Sequence, residues 1–190
     1  MYSASDLRKG LKIEWEGTPF EITEFQFVKP GKGQAMYKTR IRNLLTGTTQ
    51  ERTFREVEKI GKPDLIERDL QFSYAHGDDF VFSDPETYEE YTITAEQLGN
   101  NRWFIVEDMI VAVLFFNGKP IDITLPYFIE KEITETEPGV RGDTATNVTK
   151  PAFIDNGYEI AVPLFINQGD VVRIDTRTGK YADRVSTGRK

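Results

Sequence analysis

The sequence predicts an all-β protein made of three small barrel-like domains. Segments in which apolar and polar residues alternate recur along all 190 residues, which is the pattern of half-buried strands. Turns rich in Gly, Asn and Asp separate these segments at short intervals, as in β-sandwiches and barrels. The balance of charges also changes close to a break in the strand pattern, which favours several domains over one.

The first domain is assigned to residues 1–63. Alternation predicts strands at residues 11–15, 20–28, 36–43 and 50–54, with turns between them. The run from Glu58 to Pro63 breaks this pattern and coincides with the change in charge, so the first boundary is placed there.

The middle domain is assigned to residues 64–128. Its strands are predicted at residues 69–74, 80–82, 109–116 and 121–125. Thr94 and Gln97 have the spacing of a capping box, which predicts a short helix that ends near Gly99. Asn117-Gly118 is the strongest two-residue signal for a hairpin, and Pro126 marks the second boundary.

The last domain covers residues 129–190. It begins with a strand predicted over residues 128–135, and a loop follows at 137–150. Further strands are predicted at residues 160–163, 171–175 and 181–185. The second and third domains thus have about five strands each, the size of OB-type barrels, a fold that often binds nucleic acid. A fold by itself does not establish a function.

Charge is distributed unevenly between the three domains. Residues 1–63 carry 12 Lys and Arg against 8 Asp and Glu, residues 64–128 carry 3 against 13, and residues 129–190 carry 9 against 10. The basic first domain suits nucleic-acid phosphates. The acidic middle domain would repel bulk nucleic acid, which argues against a protein that coats it indiscriminately.

Composition excludes several classes of protein. There is no cysteine and a single histidine, which excludes disulfides, a thiolate nucleophile and a multi-histidine metal centre. No segment approaches the roughly 18 apolar residues of a membrane span, and the N-terminus lacks the apolar core of a signal peptide. No nucleophile, base and orienting group occur together. We expect a soluble, cytoplasmic protein that is not an enzyme and holds no metal or cofactor.

The most informative motif is a lysine between two glycines, Gly31-Lys32-Gly33, placed between two predicted strands. Glycine tolerates positive φ and leaves space beside its neighbour, and Pro30 fixes the direction in which the chain enters the loop. With Gln34, these residues form a tip loop that presents one long cationic side chain where nothing packs against it.

The strands that flank the loop are predicted to form a basic arm. No Asp or Glu occurs between Phe25 and Gln50. With a period of two, one face of the second strand carries basic side chains and the other carries side chains suited to a core. The candidates for phosphate contacts are Lys29, Lys38, Arg40 and Arg42.

The chain resembles the bacterial translation elongation factor P family over its entire length. The tip, residues 29–35, and residues 42–47 match the lysine-bearing branch of that family. Residues 138–145 and 175–179 are also similar. The last domain carries the family's pattern at Lys150, Ala152, Gly157, Ile160, Val162, Pro163, Ile166 and Gly169. The departures from the pattern, His76 and Ser83, lie in the middle domain.

The resemblance implies a fold and a function. The fold would be an N-terminal SH3- or KOW-like barrel followed by two OB-fold barrels, in an L-shaped outline like that of tRNA. The function would be that of a monomeric elongation factor bound to the 70S ribosome between the peptidyl and exit sites, beside peptidyl-tRNA. There it would stimulate peptide-bond formation when synthesis stalls at consecutive prolines.

The resemblance also implies roles for particular residues. The lysine that matches Lys32 is extended by modifying enzymes, commonly with a β-lysyl group, and points toward the peptidyl-transferase centre. The loop Gly142-Asp143-Thr144 matches one that approaches messenger RNA in the exit site. Tyr181 and Arg184 match residues near the anticodon stem of peptidyl-tRNA.

Other interpretations of Lys32 and its arm differ in what they require. A phosphate-binding P-loop is rejected, because Gly33 stands where that motif has Ser or Thr and a strand follows instead of a helix. An enzyme with Lys32 as a Schiff-base nucleophile would need burial or neighbouring cations to activate the amine, and the tip is exposed. A general RNA- or single-strand-binding barrel protein without a ribosomal role would have an unmodified tip and bind free RNA.

Overall fold

Strands dominate the computed structural model, which describes residues 1–139 and 148–188. The strands are β1 Tyr2–Ser3, β2 Lys12–Trp15, β3 Thr18–Val28, β4 Met36–Asn43, β5 Thr49–Arg55, β6 Lys59–Ile60, β7 Leu65–His76, β8 Asp79–Ser83, β9 Glu90–Thr94, β10 Ile110–Phe116, β11 Lys119–Thr124, β12 Phe128–Glu132, β13 Glu135–Thr136, β14 Thr149–Phe153, β15 Glu159–Pro163, β16 Val171–Asp175 and β17 Lys180–Ser186. The helical elements are α1 Ala95–Leu98 and two 3-10 segments, Ala4–Asp6 and Gly99–Phe104. The predicted all-β class is confirmed.

The described strands form five sheets. Their strand orders are β1-β6, β2-β3-β4-β5, β11-β10-β7-β8-β9, β12-β16-β17 and β13-β14-β15. The chain divides into two compact units, Met1–Arg68 with Ala112–Ile123 and Asp69–Val111 with Thr124–Lys190. The division into three domains with boundaries near residues 63 and 128 stays a prediction.

The N-terminal sheet β2-β3-β4-β5 encloses an apolar core. Its buried members are Ala4, Leu7, Leu11, Ile13, Phe20, Ile22, Tyr37, Ile41, Phe54 and Ile60. Gly61 follows β6 and exchanges two backbone hydrogen bonds with Glu14. A Cβ at residue 61 would lie 2.9 Å from the Glu14 carbonyl oxygen, so the close approach of the two backbones requires glycine.

A bulge in β3 decides which of its side chains face the core. The register to β4 slips between Ile22 and Glu24, so Thr23 has no partner in the ladder. Because an extra residue reverses the alternation of side chains, Phe25 and Phe27 lie on the same face as Ile22. Strict alternation along one regular strand would have placed them on the opposite face.

Several predicted elements are confirmed. Thr94 caps α1 and accepts a hydrogen bond from the Gln97 N–H, and the helix ends before Gly99. Asn117 and Gly118 connect β10 to β11 with φ values of 49° and 77°, as a tight hairpin requires.

Other predictions are wrong in detail. The strand predicted over residues 128–135 is divided, because β12 pairs with β16 whereas β13 pairs with β14. Strand β14 occupies the end of the loop predicted at 137–150, and β1, β6 and β9 were not predicted. These short strands gain stability from their partners in the sheet, which local sequence does not reveal.

Candidate nucleic-acid interface

The tip loop, residues 29–35, joins β3 to β4, and Lys32 lies exposed near its centre. Gly33 has a φ of 135°, a conformation that residues with a side chain rarely adopt. A Cβ at Gly31 would meet no atom within 4 Å. The Lys32 ammonium has no hydrogen-bond or ion-pair partner within residues 1–139 and 148–188. The loop therefore presents one unpaired cation on a narrow stretch of chain.

The alternation predicted for β4 is confirmed. Lys38, Arg40 and Arg42 are exposed on one face of the strand, whereas Thr39 and Ile41 are buried on the other. Strand β3 covers one edge of β4 and β5 covers the other along its whole length. The arm is therefore three strands wide below the tip, rather than a two-stranded hairpin.

Acidic side chains on the neighbouring strands neutralise the two arginines of this face. Arg40 lies between Glu24 and Glu51, with Nη–Oε distances of 3.0 and 3.4 Å. The Nη2 atom of Arg42 lies 2.7 Å from Glu21 Oε2. Such exposed pairs contribute little to stability, about 0–1 kcal/mol each, but they reduce the positive charge that the arginines offer to a polyanion.

The uncompensated charge of the arm lies in its lysines. Lys29, Lys32 and Lys38 are exposed and form no ion pair with any residue that the structure describes. Lys38 also borders a groove of about 330 Å³ on the charged face, whose lining includes Arg40 with its partners Glu24 and Glu51. Positive charge is thus concentrated at the tip and just below it.

The other face of the arm is aromatic. Phe27 is 50% exposed, and its ring centroid lies 5.1 Å from that of the buried Tyr37. Phe25 packs on the same ring from 6.2 Å. The arm therefore carries an exposed aromatic surface beside its charged one.

A second candidate surface lies on β17, where a bulge brings Tyr181 and Arg184 onto one face. The two residues are three positions apart along the chain, so a regular strand would place them on opposite faces. The register to β16 slips, and Tyr181 stands opposite Ile174 while Arg184 stands opposite Val172. Both partners are buried core residues of one face. The sequence does not reveal this bulge.

Burial raises the pKa of the Tyr181 phenol above its ordinary value of 10.0, and the carboxylates of Asp183 and Asp170 act in the same direction, while Arg184 opposes them. Tyr181 consequently remains protonated at neutral pH. Its hydroxyl can donate a hydrogen bond to an anionic oxygen.

Arg184 is held from two sides. Its Nη1 atom lies 3.6 Å from Asp170 Oδ2, and its guanidinium carbon lies 5.0 Å from the ring centroid of Phe165. Sequence reasoning missed both neighbours. The signal in the sequence is the position of Asp170, which is charged but directly precedes the apolar pair Val171-Val172.

The predicted exit-site loop, Gly142-Asp143-Thr144, lies outside the described residues. Before it, Gly139 N–H donates to Asn167 Oδ1 at 2.7 Å, and after it the buried Lys150 ammonium donates to the Glu137 carbonyl oxygen. Burial lowers the pKa of Lys150, although the charges of Glu137 and Asp170 oppose this shift.

The described residues contain neither a candidate metal site nor a candidate membrane-spanning helix. No group of three or more His, Asp or Glu side chains within 1–139 and 148–188 could hold a metal ion. None of the helices in this part of the chain has the length and apolar character needed to cross a membrane.

Three family models match successive parts of the chain. They describe the elongation factor P KOW-like domain, the elongation factor P OB domain and the elongation factor P C-terminal region, and they match residues 3–60, 65–123 and 122–184. The KOW-like and OB descriptions agree with the barrel types expected from the sequence, and the predicted fold class is confirmed.

Solved structures of similar fold include translation initiation factor 5A proteins. The factor from Methanococcus jannaschii has a TM-score of 0.54 and 22% identity, over 65% of this chain and 93% of its own. A family member from Naegleria fowleri has a TM-score of 0.50 and 17% identity, over 65% of this chain and 96% of its own. Identities this low support a shared barrel fold and no more.

Curated relatives match from end to end. Elongation factor P of Nitratidesulfovibrio vulgaris strain Miyazaki F is 52% identical over 97% of this chain and 100% of its own length. Elongation factor P of Desulfotalea psychrophila is 50% identical over 97% of this chain and 99% of its own. With family models over all three parts and relatives about half identical, this chain belongs to the elongation factor P family, whose members are translation factors rather than enzymes.

Proposed function

We propose that this chain binds the 70S ribosome in the cytoplasm, between the peptidyl and exit sites and beside peptidyl-tRNA. There it stimulates peptide-bond formation and relieves stalling at consecutive prolines. The observation that carries the proposal is Lys32, an exposed cation without a partner among the described residues, at the end of a narrow loop. Membership of a translation-factor family supports it.

The proposed mechanism is positional. Proline reacts slowly because its rigid ring restricts the geometry of the nascent chain. A factor that holds the end of the tRNA in a reactive orientation reduces the entropy lost in the reaction step, because binding has already fixed that orientation. Modifying enzymes extend Lys32, which adds reach and hydrogen-bond donors toward the peptidyl-transferase centre. Gly31 and Gly33 keep the loop thin enough to enter a crowded RNA cavity.

Phosphate contacts position the arm. We assign the main contacts to Lys29 and Lys38, because no carboxylate among the described residues neutralises them. Arg40 and Arg42 contribute less, since each would have to give up a carboxylate partner before binding a phosphate. The sequence named all four residues as candidates and did not rank them.

Two contacts are proposed for the last part of the chain. Tyr181 and Arg184 share a face of β17, and we assign them to the anticodon stem of peptidyl-tRNA. The loop Gly142-Asp143-Thr144 is assigned to messenger RNA in the exit site, on the family resemblance alone.

The decisive experiment replaces Lys32 in a strain that lacks its own factor. Lys32→Ala should abolish translation of a reporter with consecutive prolines and leave other translation unchanged, and the protein should fold normally because an exposed tip contributes little to stability. Lys119→Ala, in an exposed lysine of another hairpin, is the matched control and should retain full activity. Full rescue by Lys32→Ala would contradict the proposal.

Mass analysis of the tip peptide from natively expressed protein tests the modification. We expect a mass above that of the unmodified sequence, and replacement by Ala should remove the difference. An unmodified tip together with tight binding to free RNA would favour a general RNA-binding barrel. Borohydride trapping of a carbonyl substrate on Lys32 would instead indicate a Schiff-base enzyme.

A further inference from the structure

We propose that Asp170 is a positioning residue, whose buried carboxylate orients Arg184 toward an RNA phosphate. The inference rests on the proposed function, since it concerns the surface assigned to peptidyl-tRNA. It adds a residue that would not touch the RNA itself.

The carboxylate of Asp170 is held in place by the fold. The residue is 2% exposed. Its Oδ2 atom accepts a hydrogen bond from the Asn167 N–H at 2.9 Å, and its Oδ1 atom accepts one from the Gly188 N–H at 2.9 Å. Its backbone carbonyl oxygen accepts from the Ile133 N–H at 2.8 Å. A carboxylate with these donors is a rigid anchor, because buried polar groups that lose their partners are costly.

The anchor holds one end of a side chain that still faces solvent. Arg184 Nη1 lies 3.6 Å from Asp170 Oδ2, and 35% of the Arg184 side chain is exposed. The guanidinium also lies over the Phe165 ring, at 5.0 Å. Arginine has several N–H donors in a planar fork, so one edge can face Asp170 while another meets a phosphate. Holding the fork in advance reduces the rotamer entropy lost on binding.

The same carboxylate secures the chain that follows β17. Gly188 packs so closely on Gly169 that a Cβ at residue 188 would lie 2.8 Å from the Gly169 carbonyl carbon. Asp170 therefore binds both the side chain of Arg184 and the backbone beyond it. Asp170 thus fixes the chain just after β17, at Gly188, as well as Arg184 within the strand.

For Asp170→Asn, the change in net charge and the loss of the positioning role predict opposite changes in the affinity for RNA. The substitution makes the net charge of −7 one unit less negative, so long-range attraction to RNA should tighten binding. Positioning predicts weaker binding, because an amide nitrogen in place of Oδ2 would face the N–H donors of Asn167 and Arg184. The sign of the change distinguishes the two effects.

Asp183→Asn is the matched control. It removes the same charge from β17, the strand that carries Arg184, but Asp183 pairs with Arg173 and about half of its side chain is exposed. We expect unchanged or slightly tighter binding from this variant. For Asp170→Asn we expect affinity about fivefold weaker, as for the loss of one charge-assisted contact.

The measurement is the affinity of the full-length protein for ribosomes that carry peptidyl-tRNA, at several salt concentrations. Arg184→Ala should weaken binding and lower the salt slope by less than one, because Asp170 already neutralises part of the Arg184 charge. The double variant Asp170→Asn with Arg184→Ala should be no weaker than Arg184→Ala, because the two residues act through one contact. Additive losses, or tighter binding by Asp170→Asn, would overturn the inference.

A second variant tests the same inference if Asp170→Asn fails to fold. Phe165→Leu keeps an apolar side chain and every charge but removes the ring beneath Arg184, and positioning predicts a several-fold loss of affinity. An unchanged affinity would refute the inference. If Lys32→Ala loses activity while these variants bind normally, only the role of Asp170 is wrong. If the wild-type protein does not bind the ribosome, the proposed function fails as well.

Discussion

At the scale of residues, ion pairing distinguishes basic side chains whose charge is neutralised by a carboxylate from those whose charge is not. Arginines on the exposed sheet faces are engaged with carboxylates, namely Arg40, Arg42 and Arg173. The planar guanidinium fits a carboxylate well, whereas the lysine ammonium is more strongly hydrated. The lysines at and below the tip have no such partners among the described residues, and so their charge remains available to an RNA backbone.

The pair between Arg173 and Asp183 gives a prediction on pH. The hydrogen bond from Arg173, supported by its charge, lowers the pKa of Asp183 below its ordinary 3.8. A lowered carboxyl pKa stabilises the fold above the pKa of the unfolded chain, and this contribution is lost as the pH falls through the folded value. Asp183→Asn should therefore be less stable than the wild type at pH 7, and the difference should shrink at about pH 2.5.

Urea denaturation at both pH values measures this difference. Asp69→Asn is the control, because Asp69 is exposed and has no ion pair in the described part of the chain. Its difference from the wild type should be small at either pH. If Asp183→Asn remained equally destabilised in acid, the carboxylate would not be the source of the effect.

At the scale of elements, the arm depends on the packing of its three strands. Tyr37 on β4 stands between Phe27 on β3 and Phe54 on β5. Phe54 is 0% exposed, whereas Phe27 is 50% exposed. Because the three rings lie in one row across the sheet, the β5 side of the arm at this level belongs to the core, whereas its β3 side does not.

Substitution of these two phenylalanines tests that difference. Phe54→Ala should lower the free energy of unfolding by about 3–5 kcal/mol, since it removes a buried ring and leaves a cavity. Phe27→Ala should cost about 1 kcal/mol or less, because much of its ring is already in water. Chemical denaturation gives both values, and similar losses from the two variants would contradict this account of the arm.

At the scale of the whole molecule, the uneven charge determines how binding responds to salt. The protein is acidic, with a net charge of −7, yet unpaired cations gather at the tip of its arm. Every phosphate that a protein cation neutralises releases counterions, which makes the affinity fall with salt. The slope of affinity against salt should thus count the cations that contact RNA.

Two double variants test how much each pair of cations contributes to this slope. Replacing both Lys29 and Lys38 with Gln should reduce the salt slope of ribosome binding by about two. Replacing both Arg40 and Arg42 with Gln should reduce it by less, because carboxylates already neutralise them. Equal reductions would show that the arginines exchange their partners freely for phosphate.

The sequence by itself determined the β class, the tip loop with Lys32, the alternation of β4, the capped helix after Thr94 and the hairpin at Asn117. These features depend on the conformational preferences of neighbouring residues, and so local sequence is enough to predict them. The family resemblance was also carried by residues at fixed positions along the chain.

Only the tertiary structure decided which charges are neutralised and which side chains share a face. The carboxylates beside Arg40 come from strands on either side of β4, and Asp170, just before β16, reaches Arg184 on the neighbouring β17. The bulges at Thr23 and beside Tyr181 reverse the alternation that the sequence suggests. Strand register sets all of these, and register depends on packing between segments that are distant along the chain.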